Sequence, residues 1–133
     1  MNKQNILFLL RGLPGSGKSS LAALMVSSGM ADIFIEADQY PGLYENGFHP
    51  ELLPAAHKSC QEQCSAQLEL GKNVVVSNTL TSTTELQPYL KMAEEYGAEV
   101  ISLVVEHRHQ GTSIHNVPLH VMDKMRERFE IKL

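Results

Sequence analysis

One segment restricts the fold of this chain more than any other. Gly12-Leu-Pro-Gly-Ser-Gly-Lys-Ser19 follows the apolar run Ile6-Leu-Phe-Leu-Leu10 after Arg11 alone, and leads straight into Ser20-Leu-Ala-Ala-Leu-Met-Val26. A run that is apolar at every position suits a strand covered on both faces, as in a parallel sheet. The glycines let the backbone swing sharply from that strand into a helix. The helix is expected to begin inside Gly15-Ser-Gly-Lys18 and to stop near Gly29.

The rest of the chain repeats the alternation. Ile33-Phe-Ile-Glu36 reads as a short second strand, and residues 39 to 49, with Pro41, Gly42, Asn46 and Gly47, read as a turn-rich loop. Pro50 to Leu70 is mostly helical, with a break expected at Pro54 and a stop at Gly71. Asn73-Val-Val-Val-Ser77 is a third strand. Ser82-Thr-Thr-Glu85 has the form of a capping box, in which the serine oxygen accepts from the backbone and the glutamate reaches back, and it opens a helix to Tyr96 before Gly97. Val100 to Val105 is a fourth strand. A segment without hydrophobic period, His107 to Asn116, precedes a last helix whose Pro118, Met122, Met125 and Phe129 share one face. Connections this long exclude hairpins, so the expected class is α/β, a three-layer sandwich with helices on both faces of a parallel sheet.

The glycine segment fits G-x-x-x-x-G-K-[ST] in the strand-to-helix context that gives this pattern its meaning, a phosphate-binding loop or P-loop. Its backbone N–H groups, with the positive end of the helix behind them, are suited to phosphate oxygens. Gly12, Pro14, Gly15, Ser16, Gly17, Lys18, Ser19 and Ser20 are the candidate nucleotide-binding residues. Lys18 supplies a charge to the outer phosphates of ATP and is expected to point to solvent when none is bound. Ser19 offers a hydroxyl oxygen to Mg²⁺, a hard cation that takes few protein ligands. Asp38 follows the carboxyl end of the second strand, the edge at which open parallel sheets bind ligands. It can accept a proton or hold a metal-bound water, although position alone fits a solvated turn aspartate equally well.

Composition limits the alternatives. The 133 residues suit one domain, and 43% apolar content with a net charge of −4 points to a globular chain without a broad nucleic-acid-coating surface. The apolar run near the start is too short for a signal peptide or a membrane span, so the expected setting is cytoplasmic. Cys60 and Cys64 lie on one helical face and read as reduced, buried thiols. Neither His57 with those cysteines nor His107, His109 and His115 makes a convincing zinc site. Met92, Met122 and Met125 read as core residues, and nothing indicates a protein partner.

Arg11-Gly-Leu-Pro-Gly-Ser-Gly-Lys-Ser-Ser-Leu-Ala22, Ala37-Asp-Gln-Tyr40, Phe48-His-Pro50, Val74-Val-Val-Ser-Asn-Thr79, Tyr96-Gly-Ala-Glu-Val100 and Met125-Arg-Glu-Arg-Phe129 occur in the order found in polynucleotide-kinase-like P-loop proteins. The chain resembles that family over nearly its whole length, and in particular its small bacterial and phage members. The resemblance implies a sheet of order 2-3-1-4 in the expected single domain over 1–133, and the chain departs from the family in its lid, at about 107–117, which is short with Arg108 its only arginine. The resemblance also implies that Asp38 is the general base on an acceptor hydroxyl. Two further positions depart from the family. Pro41 stands where the kinase has an arginine near the acceptor phosphate, and Ser77-Asn78 replaces a carboxylate-bearing strand end, so an anchor for the Mg²⁺ waters is either missing or left to Asp38 and Asn78.

The expected activity is therefore transfer of the γ-phosphoryl of ATP to a hydroxyl, either a nucleic-acid 5′ end or a small metabolite. Lys18, Asp38 and Arg108 are the candidate catalytic residues, with Arg108 reaching over the phosphates from the lid, and Ser19 and Asp38 the candidate metal ligands. Arg126 and Arg128 read as surface charges. The alternative is a nucleotide-binding module, or a slow ATPase, that transfers nothing.

Overall fold

The computed structural model describes residues 5–106. Strands β1 (Ile6–Arg11), β2 (Ile33–Ile35), β3 (Val74–Asn78) and β4 (Glu99–Val104) form one parallel sheet in the order β2-β3-β1-β4. Helices α1 (Lys18–Ser27), α2 (Leu53–Glu69) and α3 (Thr83–Tyr96) connect them. This is the α/β order implied by the family resemblance. Among the described residues, no helix is long and apolar enough to cross a membrane.

Alternation along the central strand divides the core into two layers. Leu7 and Leu9 of β1, in register with Val74 and Val76 of β3, join Ile35, Ala56, Cys60, Cys64, Leu86 and Tyr89 under α2 and α3. Phe8 and Leu10, with Val75, turn to the opposite face and meet Ala22 and Met25 of α1. Successive strand side chains point to opposite faces, so a run apolar at every position is what such a centre needs. Full burial of each large side chain stabilises by about 1.5–3 kcal/mol, so Leu7 and Leu9, both at 0% exposure, are among the largest individual contributors. Cys60 and Cys64 are free thiols inside this core, and burial raises the pKa of both. Met92 is also buried there.

Element ends differ from expectation by a residue, and one of the differences matters. β2 stops at Ile35, so Glu36 is not its last residue but the entry to a 3₁₀ turn, Ala37–Gln39. Pro54 does not break a helix. A 3₁₀ turn, Pro50–Leu52, runs into α2 at Leu53, and Pro54 then falls in the first turn, where its missing N–H has no partner to lose. In the capping box, Ser82 Oγ accepts from Glu85 N at 3.3 Å as expected. The Glu85 carboxylate instead accepts from the backbone N–H and the hydroxyl of Thr81, one residue further back. β3 and β4 occupy Val74–Asn78 and Glu99–Val104 in place of 73–77 and 100–105. The lid, Arg108, His107, His109, His115, the last helix, Arg126 and Arg128 lie outside the described residues.

Candidate phosphoryl-transfer site

The loop between β1 and α1 closes at the carboxyl edge of the sheet. Arg11 pairs with Asn78 on one side and Val104 on the other, which seats Gly12 between two strand ends. A Cβ at Gly12 would lie 2.5 Å from the carbonyl oxygen of Val105 and 2.7 Å from Ser16 Oγ, so no other residue fits. Gly15 (φ 83°) and Gly17 (φ 98°) take left-handed conformations that side chains disfavour, and Gly17 serves as the N-cap of α1 without a side-chain bond. The first N–H groups of α1 therefore carry no capping side chain, the condition for an anion to meet them. Ser16 N donates to Leu13 O at 3.1 Å, while Ser16 Oγ is buried and has no partner among the described residues. Pro14 lies partly buried in the turn, and Ser20 is exposed in the first turn of α1.

Lys18 does not point to solvent. Its Nζ donates to Leu13 O at 3.0 Å, folding the side chain back across the loop. Burial lowers its pKa to about 8, against the opposing pull of the Asp38 and Glu36 carboxylates. An ammonium placed this way gains a partner of the right sign when phosphate enters.

The carboxylate that meets Ser19 is Glu36, whose Oε2 accepts from Ser19 Oγ. Glu36 was missed in the sequence because it reads as the end of a strand. The signal available was a second carboxylate two residues before Asp38, at the end of an apolar run. Asp38 sits on the 3₁₀ turn, exposed, and its Oδ1 accepts from the Tyr44 hydroxyl at 3.0 Å. Burial and the Asp38 carboxylate together raise the Tyr44 pKa, so the phenol remains a donor, and its ring stacks on Phe48 at 5.4 Å. Asn78 anchors the turn from below: its Oδ1 accepts from Ala37 N at 2.8 Å. The Asn78 amide nitrogen lies near the Cys60 thiol and the Tyr89 hydroxyl without meeting hydrogen-bond geometry with either. Asn78 thus holds the backbone beside Asp38. His57 is partly buried on α2, and no group of three metal-ligating side chains occurs among the described residues.

Comparison with known proteins agrees with this fold. A family described as AAA domain matches residues 7–131. Human NEDD4-binding protein 2 is 31% identical over 100 residues, covering 72% of this chain and 6% of that protein, so the chain corresponds to a small part of the relative's length. Among solved structures, the Pnkp1/Rnl/Hen1 RNA repair complex contains a chain that superposes with a TM-score of 0.63 at 22% identity, over 96% of this chain and 38% of that one. The Mycobacterium tuberculosis APS kinase CysC in complex with AMPPNP and APS superposes with a TM-score of 0.59 at 19% identity, over 92% and 69%. At those identities the likeness is one of fold. With the loop, the 2-3-1-4 sheet and a match over nearly its full length, the chain belongs to the AAA-domain family and has the fold of P-loop kinases.

Proposed function

We propose that the chain binds ATP with Mg²⁺ and transfers the γ-phosphoryl group to a hydroxyl acceptor. The observation that carries this reading is the convergence of Lys18, Ser19, Glu36 and Asp38 at one edge of the sheet, with Lys18 electrostatically coupled to both carboxylates. The loop amides and Lys18 would hold the outer phosphates. Ser19 and Glu36 form a pair of oxygen donors suited to a hard cation and its waters, with Asp38 close by. Mg²⁺ bound there would supply charge neutralisation on the phosphate oxygens.

In the transfer step the acceptor oxygen bonds to the γ-phosphorus as the bond from that phosphorus to the bridging oxygen breaks. ADP leaves with the electron pair, and the hydroxyl proton passes to the Asp38 carboxylate. Arg108, the remaining catalytic candidate, belongs to the proposed lid over 107–117 of a single domain spanning 1–133.

One feature favours a second reading, a nucleotide-binding module or slow ATPase: one oxygen of Asp38 is already engaged by Tyr44. Asp38→Asn separates the two. A general base acts on the acceptor, so the variant should keep ATP affinity within a few fold while turnover falls by a factor on the order of 10² to 10⁴. Labelled ATP, tested with and without acceptor, reads both quantities. Turnover equal to that of the unaltered protein would remove Asp38 as base, and ATP consumption that no acceptor accelerates would leave the module reading.

A further inference from the structure

A cavity of about 210 Å³ lies between the segment Glu36 to Pro41 and the flank of α2 that borders the core, with Asp38 on the adjoining 3₁₀ turn but not in the lining. Its polar lining consists of Glu36, Gln39, Ser59 and Gln63. Ala56, Ser59, Cys60 and Gln63 recur at helical spacing, so one face of α2 forms a continuous wall. Tyr40 and Pro41 close the side that belongs to the turn, and Ala56 and Cys60 supply apolar surface on the wall. Among the described residues the lining contains no lysine, arginine or histidine.

Resting on the phosphotransferase reading, we propose that this cavity is the acceptor site and that it takes a small, uncharged, hydroxyl-rich molecule, a monosaccharide or polyol, rather than the phosphate-bearing end of a nucleic acid. Size is the first argument. The cavity falls below the roughly 300–1,000 Å³ of pockets for drug-sized ligands, which leaves room for one sugar-sized molecule. Charge is the second. Phosphate is held most strongly by cations, yet this lining offers none among the described residues and instead sets the Glu36 carboxylate beside neutral amides and hydroxyls, which disfavours a charged phosphate. Those neutral groups both donate and accept, as a set of hydroxyls demands. Gln63 Nε2 donates to Ser59 Oγ at 3.0 Å, so the two side chains already form a hydrogen-bonded edge on the α2 wall. Position is the third. Glu36 both lines the cavity and receives the Ser19 hydroxyl, so a molecule seated here borders the P-loop residues that would hold the γ-phosphate.

The test combines binding with transfer. The full chain is presented with a panel of neutral monosaccharides and polyols, the same sugars as monophosphates, and 5′-hydroxyl oligonucleotides. Thermal shift and NMR line broadening read binding, and labelled ATP with Mg²⁺ reads transfer. The expected result is a neutral compound that binds, becomes labelled, and is favoured more than tenfold over its monophosphate. Ser59→Phe, which fills the cavity, and Gln63→Leu, on the exposed side of α2, should each weaken that compound at least tenfold while leaving the Mg·ATP-induced melting shift in place. Binding of a neutral compound without labelling would leave the cavity as a site for such molecules but reject the transferase reading and, with it, the acceptor role. Labelling of oligonucleotides alone would overturn the cavity assignment and keep the transferase. Loss of neither binding nor transfer in the two variants would also overturn it, as would absence of any binding from the neutral panel.

Discussion

The two ends of the sheet handle their polar groups differently. At the amino edge, side chains close the strand starts: Asn73 Oδ1 accepts from Ile6 N and Asp32 Oδ2 from Asn73 N, each at 2.8 Å, while Asn5 Nδ2 donates to Leu68 O and Lys72 O. At the carboxyl edge, Arg11, Ser77, Asn78 and Thr81 are buried, and Ser16 Oγ, Ser77 Oγ and Asn78 Nδ2 have no hydrogen-bond partner among the described residues. Leu80, whose carbonyl accepts from Arg11 Nε at 3.1 Å, is held at φ 46° in the left-handed region. Each unmet buried group costs about 1–3 kcal/mol, and a left-handed leucine costs a similar amount. Gln67 Oε1, in the last turn of α2, is also unmet, so the contrast is one of degree: most of these groups gather at the carboxyl edge, where a ligand would be held.

The sharpest way to break that contrast is Lys18→Ala. If the carboxyl edge is built for phosphate, this change should lower Mg·ATP affinity by on the order of 10²-fold, because a charge-assisted contact to the outer phosphates is lost. It should also leave the unliganded protein at least as stable, since a desolvated ammonium has been removed. Thermal melts with and without Mg·ATP measure both, because a ligand that binds only the folded state must raise the melting temperature. A wild-type protein that gains nothing from saturating nucleotide would end the assignment.

Asn73→Ala probes the other edge. It removes the acceptor of Ile6 N and should cost roughly 1–2 kcal/mol in chemical denaturation, with the nucleotide-induced shift unchanged. Glu36→Gln returns to the ligand side with a smaller effect. The Mg²⁺ concentration for half-maximal nucleotide binding should rise about tenfold, with metal-free ATP affinity nearly constant, as expected if the carboxylate holds metal-bound waters. Equal loss with and without Mg²⁺ would mean that Glu36 acts through the shape of the loop and not on the cation.

How much of this was legible depended on whether the signal was local. The β1, P-loop and α1 unit is written in contiguous residues, since a run apolar at every position and a glycine turn admit few alternatives. Asp38 was singled out because it closely follows an apolar run. Glu36 was missed for the same reason: whether a residue ends a strand or begins a turn depends on pairing with β3, which stops at Ile35 opposite Val76. The Tyr44 contact to Asp38 follows the path of a loop with Gly42 at φ 87°, and no periodicity records that. Asn78 was considered for the metal, but the register that sets its amide against Ala37 N is a property of the assembled sheet. Lys18 was expected in solvent because its sequence neighbours say nothing of the Leu13 carbonyl that receives it.

The smallest expected effect concerns the same lysine. In the unliganded protein burial holds the Lys18 pKa at about 8, below its ordinary 10.5, so between those values the unfolded chain carries more protons than the folded one. The Lys18 contribution to stability therefore rises with pH through that window. Cys60 and Cys64 act in the opposite sense, because their raised pKa values make the unfolded chain lose protons first as pH climbs past about 9. Melting curves mix the two trends, and binding does not. Phosphate favours the ammonium, so nucleotide binding takes up a proton, and Mg·ATP affinity should weaken about threefold from about pH 7.5 to about pH 8.5. Calorimetry in buffers of different ionisation enthalpy should detect that proton near pH 8 in the wild type. Lys18→Arg should show none, because a guanidinium stays charged throughout. A wild type that binds without proton uptake would mean that the ammonium is already charged across the loop, and that the carboxyl edge bears less desolvation cost than its geometry implies.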